Sequence, residues 1–246
     1  MRIISSLRKA SEETWQDYFS RLSYAILRRI IPQYREQYRL ETLVGPKNCW
    51  NELQQYQFNL LTQLGLTPHH TLLDIGCGPL TVGLKLIPYL EAGNYVGLDV
   101  RPAPLIEGYK LIAKGSLVHK NPTLLLSDSF GKGSIPGRRF DYIWMSQLSC
   151  HLTDAQMRDL FEQANARMTP DAVLLFDIMD PAIAVPNDAS WSGFSFHIRP
   201  FAFYADLARQ FSLATEIRGR LENYGYPKRI NLRNNLVLEF RKTSPA

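Results

Sequence analysis

The sequence predicts an α/β protein: a Rossmann-like, seven-stranded, mostly parallel sheet with an antiparallel last strand, helices on both faces and an N-terminal helical extension. Three observations carry this expectation. Short runs rich in Val, Ile and Leu alternate with helix-length segments, the pattern of a parallel sheet covered on both faces. The last two strands are joined by a turn-rich stretch, 220–233, with no helix long enough for a crossover, so they should form a hairpin. The 246 residues, 45% hydrophobic, suffice for one large core with an appended piece. We place the extension, a possible lid, at 1–45 and the main domain at 46–246.

From 11 to 42 the pattern is helical. Ser11 can cap a first turn carrying Glu12 and Glu13, whose charges suit the positive end of the helix dipole. Trp15, Tyr18, Phe19, Leu22 and Ile26 recur at helical spacing, and Pro32 breaks the run before "QYREQYRL" continues it. This aromatic stripe must pack either as core filler or as the roof of a site, and we favour the roof. "LVGPKNCW" at 43–50 turns the chain into another helix. Strands are then expected at 71–76, 94–100, 123–128, 140–146, 172–179, 213–219 and 234–240, with helices at 80–91, 103–114, 153–168 and 201–210. The helix at 153–168 is the best marked. Thr153 and Gln156 spell a capping box, and Met157, Leu160, Phe161, Ala164 and Met168 share one face.

Composition excludes several classes. No apolar run approaches the roughly 18 residues of a membrane span, and "MRIISSLRKASEE" is too charged for a secretory leader. Cys49, Cys77 and Cys150 are scattered and lack a C-x-x-C pair, which argues against disulfides or zinc and for a reducing, cytoplasmic setting. The net charge is +5, but residues 1–47 hold nine Lys or Arg against five Asp or Glu. The excess therefore sits on the N-terminal segment, not along a groove of the main domain. A solvated helix face is the plain reading, and a basic arm for RNA, an acidic substrate or a membrane surface is the other. Nucleic acid is not the expected partner, and a homodimer is possible.

In open α/β sheets, ligands bind beyond the carboxyl ends of the strands, so those ends hold the candidate site. The first strand ends in Asp74-Ile75-Gly76-Cys77-Gly78-Pro79, where two glycines let the backbone turn sharply and approach a ligand. The second ends in Asp99, whose carboxylate is placed to accept both hydroxyls of a ribose. The third ends in Ser127-Asp128-Ser129, suited to an adenine amino group, and the fourth in Ser146-Gln147, running on to Cys150-His151. A dinucleotide fingerprint needs a third glycine where Thr81 stands. A cofactor without pyrophosphate does not need that turn. One carrying sulfonium and ammonium charges would welcome Asp74, so S-adenosylmethionine fits better than NAD.

The stretch "LLDIGCGPL", then "YVGLDV", "LSD" and "FDYIWMSQLSCHL", resembles the class I S-adenosylmethionine-dependent methyltransferase superfamily. The run from "VGP" through "LLTQLGLTPHHTLLDIGCG" to "IPYLEAGNYVGLD" is similar to a bacterial subgroup of small methyltransferases, and the likeness spans about 43–240. It implies that Gly76, Cys77 and Gly78 pass under the methionine moiety while Asp74 orients its ammonium. It further implies Asp99 on the ribose, Val100 and Arg101 beside the adenosine, Asp128 and Ser129 at the adenine, and Ser146 and Gln147 at the methyl-transfer site. In the subgroup a small-Leu-Arg-Gly run follows the glycines, where this chain has Pro79-Leu80-Thr81-Val82. The tetrapeptide of amino-group methylases of DNA is missing after the fourth strand.

These readings lead to a methyltransferase acting on a small-molecule acceptor, most simply a hydroxyl of a natural-product-like compound. His151, facing the transfer site, is the candidate general base, set against a plain loop-capping role. His197, on the aromatic segment "WSGFSFHIRPF", is the second candidate catalytic residue. The expected pocket walls are the N-terminal aromatic helices, Trp144 to His151, and Trp191 to Phe203. His69, His70 and His119 are expected away from the chemistry. Asp154, Asp177 and Asp180 offer hard oxygen ligands without clustering, so no metal is expected. The alternatives are an RNA methyltransferase using the basic arm and a cofactor-binding protein without catalysis.

Overall fold

The computed structural model describes residues 15–135, 137–179, 190–191, 194–228 and 230–243. Ser11, Glu12, Glu13 and Asp180 lie outside them. Two helices come first, α1 (Trp15–Ile30) and α2 (Pro32–Val44), with Pro32 opening the second helix, where its missing N–H costs nothing. They are followed by α3 (Trp50–Gln63), β1 (Leu72–Ile75), α4 (Gly83–Tyr89), β2 (Tyr95–Asp99), α5 (Pro102–Lys114), β3 (Thr123–Leu126) and β4 (Phe140–Met145). Then come α6 (Asp154–Arg167), β5 (Met168–Ile178), a small hairpin of Ser190–Trp191 and Phe194–Ser195, α7 (Phe201–Gln210), β6 (Leu213–Arg220) and β7 (Leu236–Lys242).

The main sheet runs β3-β2-β1-β4-β5-β7-β6. The pairs β1–β2, β1–β4, β2–β3 and β4–β5 are parallel, and β7 runs antiparallel between β5 and β6. Expectation and structure therefore agree on the architecture and on the final hairpin. Two cores, one on each face, seal the sheet. One gathers Tyr56, Leu60, Leu61, Leu72 and Trp144, and the other gathers Ile143, Phe161, Leu174, Phe176 and Phe240. The capping box on α6 is present, with Thr153 Oγ1 accepting from Gln156 N and Gln156 Oε1 from Thr153 N.

Several boundaries differ from expectation. β5 starts at Met168, four residues early, because its first residues pair across an irregular register at Phe140 and Tyr142 before the apolar run begins. α4 is shorter than 80–91, since the chain is still turning through Leu80, whose φ is +65°. The stretch 220–233 contains two 3₁₀ turns, at Leu221–Tyr224 and Asn231–Asn234. The aromatic stripe of α1 does not roof a site. Trp15, Phe19 and Ile26 are 65%, 57% and 50% exposed, and it is the opposite side of the helix that meets α2.

That contact rests on one buried carboxylate. Glu41 Oε2 accepts the Tyr24 hydroxyl at 2.7 Å and Asn48 N at 2.8 Å, and Oε1 accepts Cys49 N and Trp50 N at 3.1 Å each. Cys49 has no side chain able to cap α3, so Glu41 satisfies its first N–H groups from a distance and sets a negative charge at its positive end. Replacing Glu41 with Ala should leave a buried hydroxyl and three N–H groups unmatched, at a cost of about 2–4 kcal/mol in urea-induced unfolding.

Candidate active site

A cavity of about 560 Å³ opens at the carboxyl ends of β1, β2 and β4, where the strand order reverses between β1 and β4. Of the residues singled out from the sequence, Asp74, Gly76, Cys77, Asp99, Val100, Arg101, Asp128, Ser146, Gln147 and His151 line it. Gly78, Ser129 and His197 do not. Gly78 lies behind the wall and donates its N–H to Asp99. Ser129 is held by its own backbone, its N–H donating to Ser127 Oγ at 3.3 Å. His197 N–H donates to the Cys150 carbonyl at 2.6 Å and its carbonyl accepts Arg199, so it fastens the loop and leaves the wall to Phe196. Trp144, expected in the wall, is fully buried with its indole N–H on Gln57 Oε1 at 3.0 Å.

The turn after β1 follows the glycines. Gly76 and Gly78 have φ of +74° and +56°, and a Cβ on Gly78 would stand 2.5 Å from Val44 Cγ1. Gly83, two residues past the fingerprint position, supplies the close helix–strand approach, since a Cβ there would meet the Tyr95 hydroxyl at 2.6 Å. At the end of β2, Asp99 Oδ2 accepts Gly78 N at 3.0 Å and Oδ1 accepts Arg101 N at 2.8 Å. Arg101 Nη2 donates to the Leu43 carbonyl at 2.8 Å, bringing Val44, Gly45 and Pro46 over the cavity. The roof is thus the end of α2, not the face of α1.

Asp74 is buried and accepts the Tyr95 hydroxyl at 2.7 Å. Burial pushes its carboxyl up to about 7; Asp99 adds to the rise and the Tyr95 hydrogen bond opposes it. At the far end of the cavity Asp177 closes β5, accepting Gln147 N at 2.7 Å and Asn235 Nδ2 at 3.2 Å. Burial outweighs these bonds and raises it to about 6. Its bond to Gln147 N holds that residue at a φ of +52°. Tyr56 shares a 2.8 Å hydrogen bond with Ser146, and Gln147 Nε2 donates to the Tyr226 hydroxyl at 2.6 Å. His151, half-buried, stacks on Phe196 at 4.8 Å and lies 3.4 Å by Nδ1 from the Ser195 carbonyl. Burial and the charge of His197 lower its pKa, which keeps the ring neutral near pH 7.

Sequence reasoning missed Tyr56, Gln57 and Asn235, which also line the cavity. The polar residues within an apolar helix, at "QQYQF", were the available signal for the first two. Asn235 reaches the cavity through the hairpin register, which the sequence does not display. Among the described residues no three His, Cys, Asp or Glu side chains converge to hold a metal. Asp154 is instead paired with Arg199 at 2.7 Å. His69 pairs with Glu91 at 2.6 Å, at the other end of β1.

A glycine turn after β1, an acid closing β2 and a cavity at the strand-order reversal together form a crevice of the kind in which open α/β sheets accept ligands. Residues 73–174 match the family model for a methyltransferase domain. No curated protein sequence matches it significantly. Solved structures share its fold at low identity. Magnesium protoporphyrin IX methyltransferase from Synechocystis PCC 6803, with bound S-adenosylmethionine, is 13% identical with a TM-score of 0.57, over 89% of this chain and 97% of that one. The glycopeptide N-methyltransferase MtfA, complexed with the same cofactor, is 14% identical with a TM-score of 0.59, over 78% and 94%. The mitomycin 7-O-methyltransferase MmcR is 18% identical with a TM-score of 0.58, over 89% of this chain and 60% of that one.

Substituting Gly78 by Ala should lower stability by about 1–3 kcal/mol, seen as a fall in the melting temperature, because the new methyl meets Val44 in a backbone conformation Ala disfavours.

Proposed function

We propose that this chain is an S-adenosylmethionine-dependent methyltransferase that acts on a small-molecule acceptor, a hydroxyl of a natural-product-like compound. The observation that carries the reading is that one cavity is lined both by the Asp99–Asp128 end and by the Ser146–His151 segment and presents a mostly apolar surface. Donor and acceptor would then share one space screened from bulk water. One solved neighbour is named as a mitomycin 7-O-methyltransferase, which supports an oxygen acceptor, and another as a glycopeptide N-methyltransferase.

In this reading Asp99 receives the ribose hydroxyls on the lone pairs its two backbone donors leave open. Asp74 faces the ammonium, Val100 and Arg101 flank the adenosine, and Asp128 with Ser127 meets the adenine. The N-terminal segment to residue 45 acts as cover through its last residues. When bound, S-adenosylmethionine supplies an activated methyl on a sulfonium, so the chain's main task is to hold the nucleophile in line and exclude water. His151, neutral at pH 7, accepts the hydroxyl proton as oxygen attacks. His197, set behind it, assists by shaping the loop.

Titration with S-adenosylhomocysteine should show tight binding that Asp99→Ala weakens about 100-fold, the loss of two charge-assisted hydrogen bonds; equal affinity in both proteins would defeat the cofactor assignment. Once an acceptor is in hand, the rate should fall as pH drops through the lowered His151 pKa, below 6.5, because the protonated ring cannot take a proton. His151→Ala should remove that dependence and about 100-fold of the rate.

A further inference from the structure

The outer face of α1 runs against the usual logic of a surface helix. Trp15, Phe19, Ile26 and Ile30 follow at steps of four, seven and four residues, which gathers them within about 60° around the helix axis. They are 65%, 57%, 50% and 70% exposed. The side turned to the protein is the polar one. Tyr24 bonds Glu41 there, Ser20 Oγ accepts Asn48 Nδ2 at 2.9 Å, and the Arg28 guanidinium lies 3.8 Å above the Tyr38 ring. Polar and apolar residues separate more sharply on α1 than on α2, α3, α5, α6 or α7. A helix that folds polar-side in, with its apolar stripe outward, gains nothing from that stripe in water.

The charge around the stripe indicates what covers it. Arg29 and Arg35 are both exposed, and Arg35 Nη2 donates to the Arg29 carbonyl, which sets the Arg35 guanidinium at the Ile30 end of the stripe, where Arg29 also stands. Residues 1–47 carry nine of the 28 basic residues and only five acids. An aromatic and aliphatic stripe, a polar opposite face and basic flanks are the attributes of helices that lie in the interface of anionic bilayers. No described helix is long and apolar enough to cross a membrane, so the chain would rest on the surface. A second copy suits the face less well. It would bring two like-charged segments together, and four side chains fall far short of the about 20–30 residues each partner gives a stable interface.

We propose that α1 docks this enzyme on an anionic lipid surface, with Trp15, Phe19, Ile26 and Ile30 in the headgroup–acyl boundary and Arg29 and Arg35 among the phosphates. The test uses the full chain and vesicles of phosphatidylcholine, with or without about 30 mol% phosphatidylglycerol. The protein should float with the anionic vesicles, about tenfold less with the neutral ones, and about 0.5 M NaCl should release much of it. The double variant Phe19→Glu with Ile26→Glu should lose about tenfold of this binding while its melting temperature stays near that of the parent. Absence of the parent protein from anionic vesicles overturns the proposal. So does a concentration-dependent dimer that the double variant abolishes, which would assign the face to a second copy. Should the variant unfold, the parent's preference between the two vesicles decides.

Discussion

The Asp99 carboxylate is the joint on which the crevice hangs. One of its oxygens accepts the N–H of the glycine turn and the other the N–H of Arg101, whose guanidinium reaches the Leu43 carbonyl near the end of α2. A buried carboxylate is costly unless its oxygens are matched, and here the matching groups come from two separate segments. The turn after β1, the end of β2 and the cover over both are therefore fixed relative to one another by a single side chain. The bond to the turn can form because Gly78 adopts a conformation closed to most residues and leaves room for Val44.

Charge along the carboxyl edge is one-sided. Asp74, Asp99 and Asp177 are all buried at the crevice, and among the described residues only Asp99 has a nearby arginine. Burial raises Asp74 and Asp177 toward neutrality, an arrangement that costs stability as long as no positive group enters. Sites that retain such groups generally do so for a ligand, and a sulfonium-bearing donor would supply the missing charge. The polar contacts joining Tyr56, Ser146, Gln147 and Tyr226 keep the other end of the crevice rigid.

Much of this was legible in the sequence because it is local. The strands showed as apolar runs, α6 as a capping box with a spaced apolar face, and the crevice as glycines and acids at strand ends. What was not legible depends on partners distant along the chain. Glu41 sits in what looks like an ordinary polar helix, and its function emerges only when residues 48–50 fold back on it. The stripe on α1 has the right period for packing, but period does not tell which side faces inward; the Tyr24–Glu41 bond decides that. Gly83 stands outside the spacing that a fingerprint would require, yet performs the packing that spacing is meant to secure. Asp177 stands at the end of an apolar strand, and the groups that match its carboxylate, Gln147 N and Asn235 Nδ2, come from segments distant along the chain.

The strand inserted between β5 and β6 has a bearing on assembly. β5 finds its outer neighbour only at 236–242, across the register Val173↔Arg241 to Ile178↔Leu236. Strands β1 to β4 all lie earlier in the chain and pair among themselves without the final hairpin. As the polypeptide leaves the ribosome, that half of the sheet can take shape while the opposite half waits for the final hairpin. Asn235, which enters with that hairpin, gives Asp177 one of its hydrogen bonds only then. Because that hairpin is the last of the sheet to be synthesised, the Asp177 end of the crevice should be completed after the Asp99 end.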